Sequence, residues 1–234
     1  MRIVVLGCGT GVGKTRLSVA ILRAITVRGV TTLGLKPIES GIVLDHEGGG
    51  PPAGSDAFAL AHAGSVRTEL PHPLYALRDP VSPHLAARAC GIQLDTGRAA
   101  AWVDAAEASV ATRILPHRAL WTIVETAGGV FSPLDAGIAN FEFAQRLEPA
   151  VWVLVAADAL GVLHEVRATL TAMRACGREP DHLVLSAARE PDASTGSNAV
   201  ELSRLGIATP SAALARNDDS GVNALVDRLF ATET

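Results

Sequence analysis

With 234 residues, 48% of them hydrophobic and 19% charged, the chain can bury a sizeable core and does not have the composition of a disordered segment. A net charge of −4 and the lack of any dense basic cluster argue against a nucleic-acid binder and for a small-molecule partner. Cys8, Cys90 and Cys176 lie far apart without C-x-x-C spacing, and no apolar run is long enough for a signal peptide or a membrane span, so the expectation is one soluble cytoplasmic domain, 1–234, off the membrane, with no disulfide framework or structural zinc site.

The apolar run Ile3–Leu6 reads as a buried strand that runs into Gly7-Cys8-Gly9-Thr10-Gly11-Val12-Gly13-Lys14-Thr15. Leu17, Ala20, Ile21, Ala24 and Ile25 then recur at helical spacing, which predicts a helix ending at Gly29. Strand, glycine loop and helix together make an anion cradle: backbone N–H groups turn inward, the helix start adds partial positive charge, Lys14 reaches phosphate oxygens and Thr15 can ligate Mg²⁺. The match to G-x-x-x-x-G-K-[ST] is imperfect, because Cys8 holds the first glycine position. A thiol in such a loop is expected to have a lowered pKa and to react readily.

Thr31–Leu35 is a second strand, closed by Lys36-Pro37-Ile38-Glu39-Ser40-Gly41. In an open parallel sheet, ligands sit beyond the carboxyl ends of the strands, so Lys36 and Ser40 are expected to face the same crevice as the glycine loop. Lys14 and Lys36 are the chain's only two lysines, and both are expected at strand ends. The stretch 45–55 is loop by composition. Ser55-Asp56 opens a helix over Asp56–Ala63, with a cap and a metal ligand equally open for the pair. The proline-rich stretch Leu70–Pro83 predicts an extended connection, and Ser82-Pro83 an N-cap followed by proline at the first helical position. His84 on that helix has no partner at metal spacing and reads as a packing or hydrogen-bonding residue.

Farther on, Gly97–Ile114 is helical, with Asp104 and Glu107 on a solvated face. Leu120–Val124 is a third buried strand and delivers Glu125 to its end, before Thr126-Ala127-Gly128-Gly129, where a phosphate-binding fold keeps a metal-side acid. Val151–Ala156 and Leu183–Leu185 are further strands flanking a helix over Val162–Ala175. A loop over Ala187–Thr195, a short last strand at Ile207–Pro210 and a closing helix over Val222–Phe230 complete the chain. Strands alternate with helices without a composition break, which predicts an α/β, doubly wound, mainly parallel sheet with helices on both faces, of P-loop type.

On these residues the chain resembles the dethiobiotin synthase family. The family patterns G-T-D-T-x-V-G-K-T, K-P-[IV]-x-[ST]-G, a Ser-Asp after a loop, [SA]-P-H-x-A-A, E-G-A-G-G and L-G-x-[LI]-N-H correspond, in order, to Gly7–Thr15, Lys36–Gly41, Ser55-Asp56, Ser82–Ala87, Glu125–Gly129 and Leu160–His164. The resemblance implies an ATP-dependent ligase of biotin synthesis. Its substrates are 7,8-diaminononanoate, CO₂ and ATP or another nucleoside triphosphate, with Mg²⁺ as cofactor and a homodimer as assembly. Carried over by position, Lys14 and Lys36 are catalytic. Gly11, Val12, Gly13, Lys14, Thr15, Arg16, Glu125, Gly128 and Ala187 bind nucleotide, Thr10 and Ser40 bind the diamine, and Thr15, Asp56 and Glu125 hold the metal.

The chain also departs from the family. Gly9 stands for the loop Asp and Cys8 for the Thr before it; Leu160–His164 is one residue shorter than L-G-x-[LI]-N-H, with Leu163 followed directly by His164 and no Asn between, and Ala187-Ala188-Arg189-Glu190-Pro191 replaces the Asn-x-x-Asp-Pro stretch that reads adenine. Two rival functions follow. One is a degenerate relative that binds nucleotide or diamine without turnover, motivated by Gly9 and Ala187. The other is a P-loop switch ATPase of the partition or septum-positioning type, disfavoured because Gly9 stands where those proteins carry a signature lysine and the tail lacks a basic amphipathic helix.

Overall fold

The computed structural model describes residues 1–43, 51–115, 118–216, 218 and 220–231; the part of the expected 45–55 loop before residue 51 lies outside them. The chain begins with strand β1 (Arg2–Gly7), helix α1 (Lys14–Val27), β2 (Thr31–Leu35) and β3 (Ile38–Ser40), followed by α2 (Asp56–Ala63), β4 (Tyr75–Leu77), α3 (Pro83–Ala89) and α4 (Thr96–Ala111). Strand β5 (Leu120–Glu125) leads through the strands β6 (Pro133–Asp135) and β7 (Ile138–Ala139) to α5 (Asn140–Arg146). Then come β8 (Val151–Asp158), α6 (Val162–Ala175), β9 (His182–Ala187), α7 (Asn198–Arg204), β10 (Ala212–Leu214) and α8 (Ser220–Ala231).

Six strands form one parallel sheet in the order β10-β9-β8-β1-β5-β2. Alternation along β1 sorts its side chains between two cores. Ile3 and Val5 pack with Leu17, Ile21 and Ile25 of α1 and Leu225 and Leu229 of α8. Val4 and Leu6 face the opposite way, with Val103 and Ala106 of α4 and Val166 and Leu170 of α6. Both faces of the sheet are therefore covered, which is why its strands read as nearly continuous apolar runs. The chain leaves β1 toward one face and the neighbouring β5 toward the other, so a crevice opens at the carboxyl ends of these two strands.

The main strands and α1, α2 and α6 stand where the sequence places them. The last strand does not: Ile207–Pro210 is not a strand, and the edge strand is Ala212–Leu214, held by pairing of Ala213 with Leu185. Within the expected extended stretch Leu70–Pro83, Tyr75–Leu77 forms a short strand that pairs in parallel with Ile38–Ser40.

Helix α2 lies unusually close to β2. A Cβ on Gly34 would sit 2.5 Å from the Leu60 carbonyl oxygen and 2.9 Å from its carbon, both backbone atoms. Replacing Gly34 with Ala should therefore lower stability by about 2 kcal/mol, through overpacking that the backbone cannot relieve. Urea denaturation of G34A with an unchanged midpoint would contradict this close contact.

Candidate active site

Register brings the two central charged residues together. β2 and β5 run parallel with Leu35 beside Val124, so the next residues, Lys36 and Glu125, emerge side by side at the strand ends. The Lys36 ammonium donates to Glu125 Oε1 at 2.7 Å and to Asp56 Oδ2 at the first residue of α2. Glu125 is fully buried, and its remaining hydrogen bonds come from α1: Thr15 Oγ1 donates to Oε1 at 2.9 Å and Ser18 Oγ to Oε2 at 2.8 Å. Thr15 and Ser18 are three residues apart and share a helix face, so one carboxylate satisfies both.

The glycine loop between β1 and α1 is shaped by its surroundings. Gly13, the N-cap of α1, has φ +95°, and a Cβ there would collide with Ser186 Oγ on β9. Only glycine meets both demands. Lys14 Nζ folds back to donate to the Gly9 carbonyl at 3.1 Å. Burial pulls the Lys14 ammonium down to about 8, Glu125 opposes the shift and Lys36 adds to it. Lys36 behaves oppositely. Burial works to lower it as well, but the Glu125 and Asp56 carboxylates outweigh that and hold it well above the ordinary lysine range. Burial alone would raise the Asp56 carboxyl, and Lys36 reverses this to keep it below the usual carboxylate range.

A cavity of about 620 Å³ opens over these groups. Its lining includes Thr10, Gly11, Gly13, Lys14, Thr15, Arg16, Lys36, Ser40, Asp56, Glu125 and Gly128 from the expected set. Ser40 Oγ is buried with no hydrogen-bond partner among the described residues, an unmet polar group that a ligand could satisfy. Two expected residues are placed differently. Val12 packs its side chain into the α1 core, leaving only its backbone for a ligand, and Ala187 does not line the cavity, whereas Arg189, two residues on, does.

The expectation for Cys8 is overturned. Its side chain packs against the core beside α6 rather than into the phosphate cradle, and burial pushes the thiol up to about 11. His84 is a hydrogen-bonding residue, its Nδ1 2.9 Å from Ser82 Oγ.

Thr15, Asp56 and Glu125 offer only hard oxygen donors, and a lysine ammonium already lies between the two carboxylates, so this spot favours a cation. The set fits Mg²⁺, which takes one or two carboxylates and completes its shell with phosphate oxygens and water. Among the described residues no group of three or more His, Cys, Asp or Glu side chains could hold a metal. A divalent ion here would therefore depend on phosphate oxygens.

Several residues of the site carry weaker signals in the sequence. Ser18 could have been found from its spacing to Thr15. Glu39 lies within the lysine motif, and Ser132 lines the cavity while its hydroxyl accepts the Gly129 N–H at 2.9 Å. His72 gives no signal at all: buried and stacked on Trp102, its Nε2 accepts the backbone N–H of Lys36 at 2.8 Å.

A family model described as an AAA domain matches residues 1–219. An ATP-dependent dethiobiotin synthetase, BioD 1 of Salmonella typhi, is 36% identical over 181 residues, covering 75% of this chain and 72% of the relative. A BioD of Anaeromyxobacter dehalogenans is 35% identical over 213 residues, covering 90% and 87%. Among solved structures, the MinC:MinD cell division complex of Aquifex aeolicus aligns with a TM-score of 0.53 at 12% identity, covering 98% of this chain and 95% of that one. The signal recognition particle receptor FtsY of Elizabethkingia anophelis aligns at 0.54 and 13%, covering 98% and 65%. These two likenesses concern the fold alone, that of P-loop nucleotide-binding proteins. No helix among the described residues is long and apolar enough to cross a membrane.

The role of His72 gives a pH prediction. Burial lowers its pKa to about 4, so the folded chain refuses a proton that the unfolded chain accepts near the ordinary histidine value of 6.5. Between those values the unfolded state binds more protons, so stability falls as the pH drops through this window. Replacing His72 with Gln keeps an acceptor for the Lys36 N–H and removes the titration. Thermal or urea unfolding at pH 7 and 4.5 should show H72Q losing about 2 kcal/mol less than the parent. Equal losses would mean that His72 is protonated in the fold.

Proposed function

This chain belongs to the ATP-dependent dethiobiotin synthetase family, and on that premise we propose that it closes the ureido ring of dethiobiotin from 7,8-diaminononanoate, CO₂ and a nucleoside triphosphate. One amine of the diamine adds to CO₂ and loses a proton to give a carbamate. A carbamate oxygen attacks the terminal phosphorus, and the nucleoside diphosphate leaves. The second amine then attacks the carbamoyl carbon, the bond from that carbon to the phosphorylated oxygen breaks, and phosphate departs as the nitrogen sheds its proton.

The observation that carries this reading is the convergence of two lysines and two carboxylates in the lining of one cavity. Phosphoryl transfer asks the protein mainly for position and positive charge rather than covalent help. In this reading the amides of Gly11, Val12 and Gly13 and the Lys14 ammonium cradle the β- and γ-phosphates, with Arg16 beside them. Lys14, whose ammonium makes no salt bridge among the described residues, gains its counter-charge from the phosphates. Lys36 steadies the carbamate and the transferring phosphoryl group. Thr10 and the unpartnered Ser40 hydroxyl hold the diamine end, while Thr15, Asp56 and Glu125 bind Mg²⁺, which neutralises charge across the phosphates.

Further parts of the proposal are a homodimer and a cytoplasmic setting, the latter in keeping with three free cysteines. Arg189 rather than Ala187 lines the cavity, and Ala187 has no side-chain amide with which to read adenine as family members do. The nucleotide base is therefore a variable to be tested.

Purified protein given the diamine, bicarbonate, Mg²⁺ and a panel of nucleoside triphosphates should form dethiobiotin and release one phosphate per ring closed. Lys36→Gln should lower kcat by about 10² to 10³-fold, the scale of losing one charge-stabilising donor, with its fold checked by circular dichroism. Substrate binding by calorimetry with no phosphate release from any triphosphate would instead favour a binding protein without turnover.

A further inference from the structure

Glu39 is charged and almost fully buried, at 5% exposure, yet none of the roles above uses it. Its two oxygens point at the start of α2. Oε1 accepts the Asp56 N–H at 2.7 Å and Oε2 the Ala57 N–H at 2.9 Å. The third free amide of that turn, Phe58 N–H, is accepted by Ser55 Oγ at 3.1 Å. The helix start is thus capped by two side chains, one local and one from β3, and a carboxylate there is also favoured by the helix dipole.

The connection runs in both directions. Lys36 and Glu39 lie three residues apart on the segment leaving β2. Lys36 holds the side chain of Asp56, while Glu39 holds its backbone. Asp56 is the first residue of α2, so the direction of its carboxylate depends on that first turn being wound. The far end of the helix is fixed separately, where Leu60 meets Gly34 and where the Thr32 N–H donates to Ser65 Oγ at 2.8 Å. The first turn is held by the Glu39 and Ser55 caps, with Ala57 in it fully buried.

We propose that Glu39 is a positioning residue for Asp56, clamping the first turn of α2 so that the Asp56 carboxylate meets Lys36 and the divalent cation that accompanies the nucleotide. The inference rests on the reading of Asp56 as a ligand of that cation. Glu39 lines the cavity as well, but both of its carboxylate oxygens are taken by the Asp56 and Ala57 amides, so its role is exerted through Asp56. Burial raises its own carboxyl, in keeping with a group placed there for its contacts and not for solvation.

The test is a double-mutant cycle read in Mg²⁺ dependence. In full-length protein, the Mg²⁺ concentration for half-maximal binding of a fluorescent ATP analogue is measured for the parent, E39Q, D56N and E39Q/D56N, with melting temperatures recorded alongside. Glu39→Gln leaves one oxygen to accept and turns an N–H₂ toward a donor, so half-saturation should rise at least fivefold. In the D56N background the same change should shift it less than twofold. Should E39Q fold poorly, Glu39→Asp keeps the charge but cannot reach both amides, and it should shift in the same direction. A parent-like Mg²⁺ dependence of E39Q or E39D while D56N shifts, or an equal shift in both backgrounds, would overturn the positioning role alone. A parent-like D56N would instead overturn the assignment of Asp56 as a cation ligand, and the inference with it.

Discussion

The buried carboxylate of Glu125 ties the candidate site together. A fully buried anion without partners would cost several kcal/mol, so the fold must bring donors to it. They come from separate parts of the chain: Thr15 and Ser18 from α1, and Lys36 from the end of β2, which in turn holds Asp56 of α2. Four elements are thereby fixed relative to one another by one charge. Thr15 and Lys36 share Oε1 while Ser18 serves Oε2, a strong constraint on how the glycine loop, the lysine segment and the acid-bearing helix can be arranged.

The same cluster explains why two lysines in one cavity behave differently. Both are buried, but Lys36 has carboxylates on two sides and stays firmly charged, whereas the Lys14 ammonium has, among the described residues, a single carbonyl as hydrogen-bond partner and is destabilised as a cation. Lys14 is thus prepared to receive an anion, which in the proposed reaction is the polyphosphate on the loop amides. Lys36 is held in place before any ligand arrives. Such a pre-set field is the form of electrostatic help that phosphoryl transfer uses best, because no reorganisation is needed during the reaction.

Cys8 shows how a local rule can yield to packing. A thiol near a helix start is expected to be acidic, but that holds only if it faces the N–H groups. Here the loop turns the side chain toward the core beside α6, and desolvation decides the sign. The last strand is similar. Ile207–Pro210 has an apolar start, but edge pairing with β9 requires residues in register with Leu185, and Ala212–Leu214 supplies them.

Five of the six strands of the main sheet, the glycine loop with its helix, and the residues Lys14, Lys36, Asp56 and Glu125 were legible in the sequence alone, because hydrophobic period and motif spacing act over short stretches of chain. Which of those residues meet was decided by the tertiary structure. The Leu35–Val124 register sets Lys36 beside Glu125, and the approach of Gly34 to Leu60 seats the helix that carries Asp56. Glu39, His72 and Arg189 gain their places from contacts across the fold or from a loop's path, and no local pattern encodes either. A helix period can be read from ten residues, whereas a hydrogen bond between positions 36 and 72 exists only once the chain has folded between them.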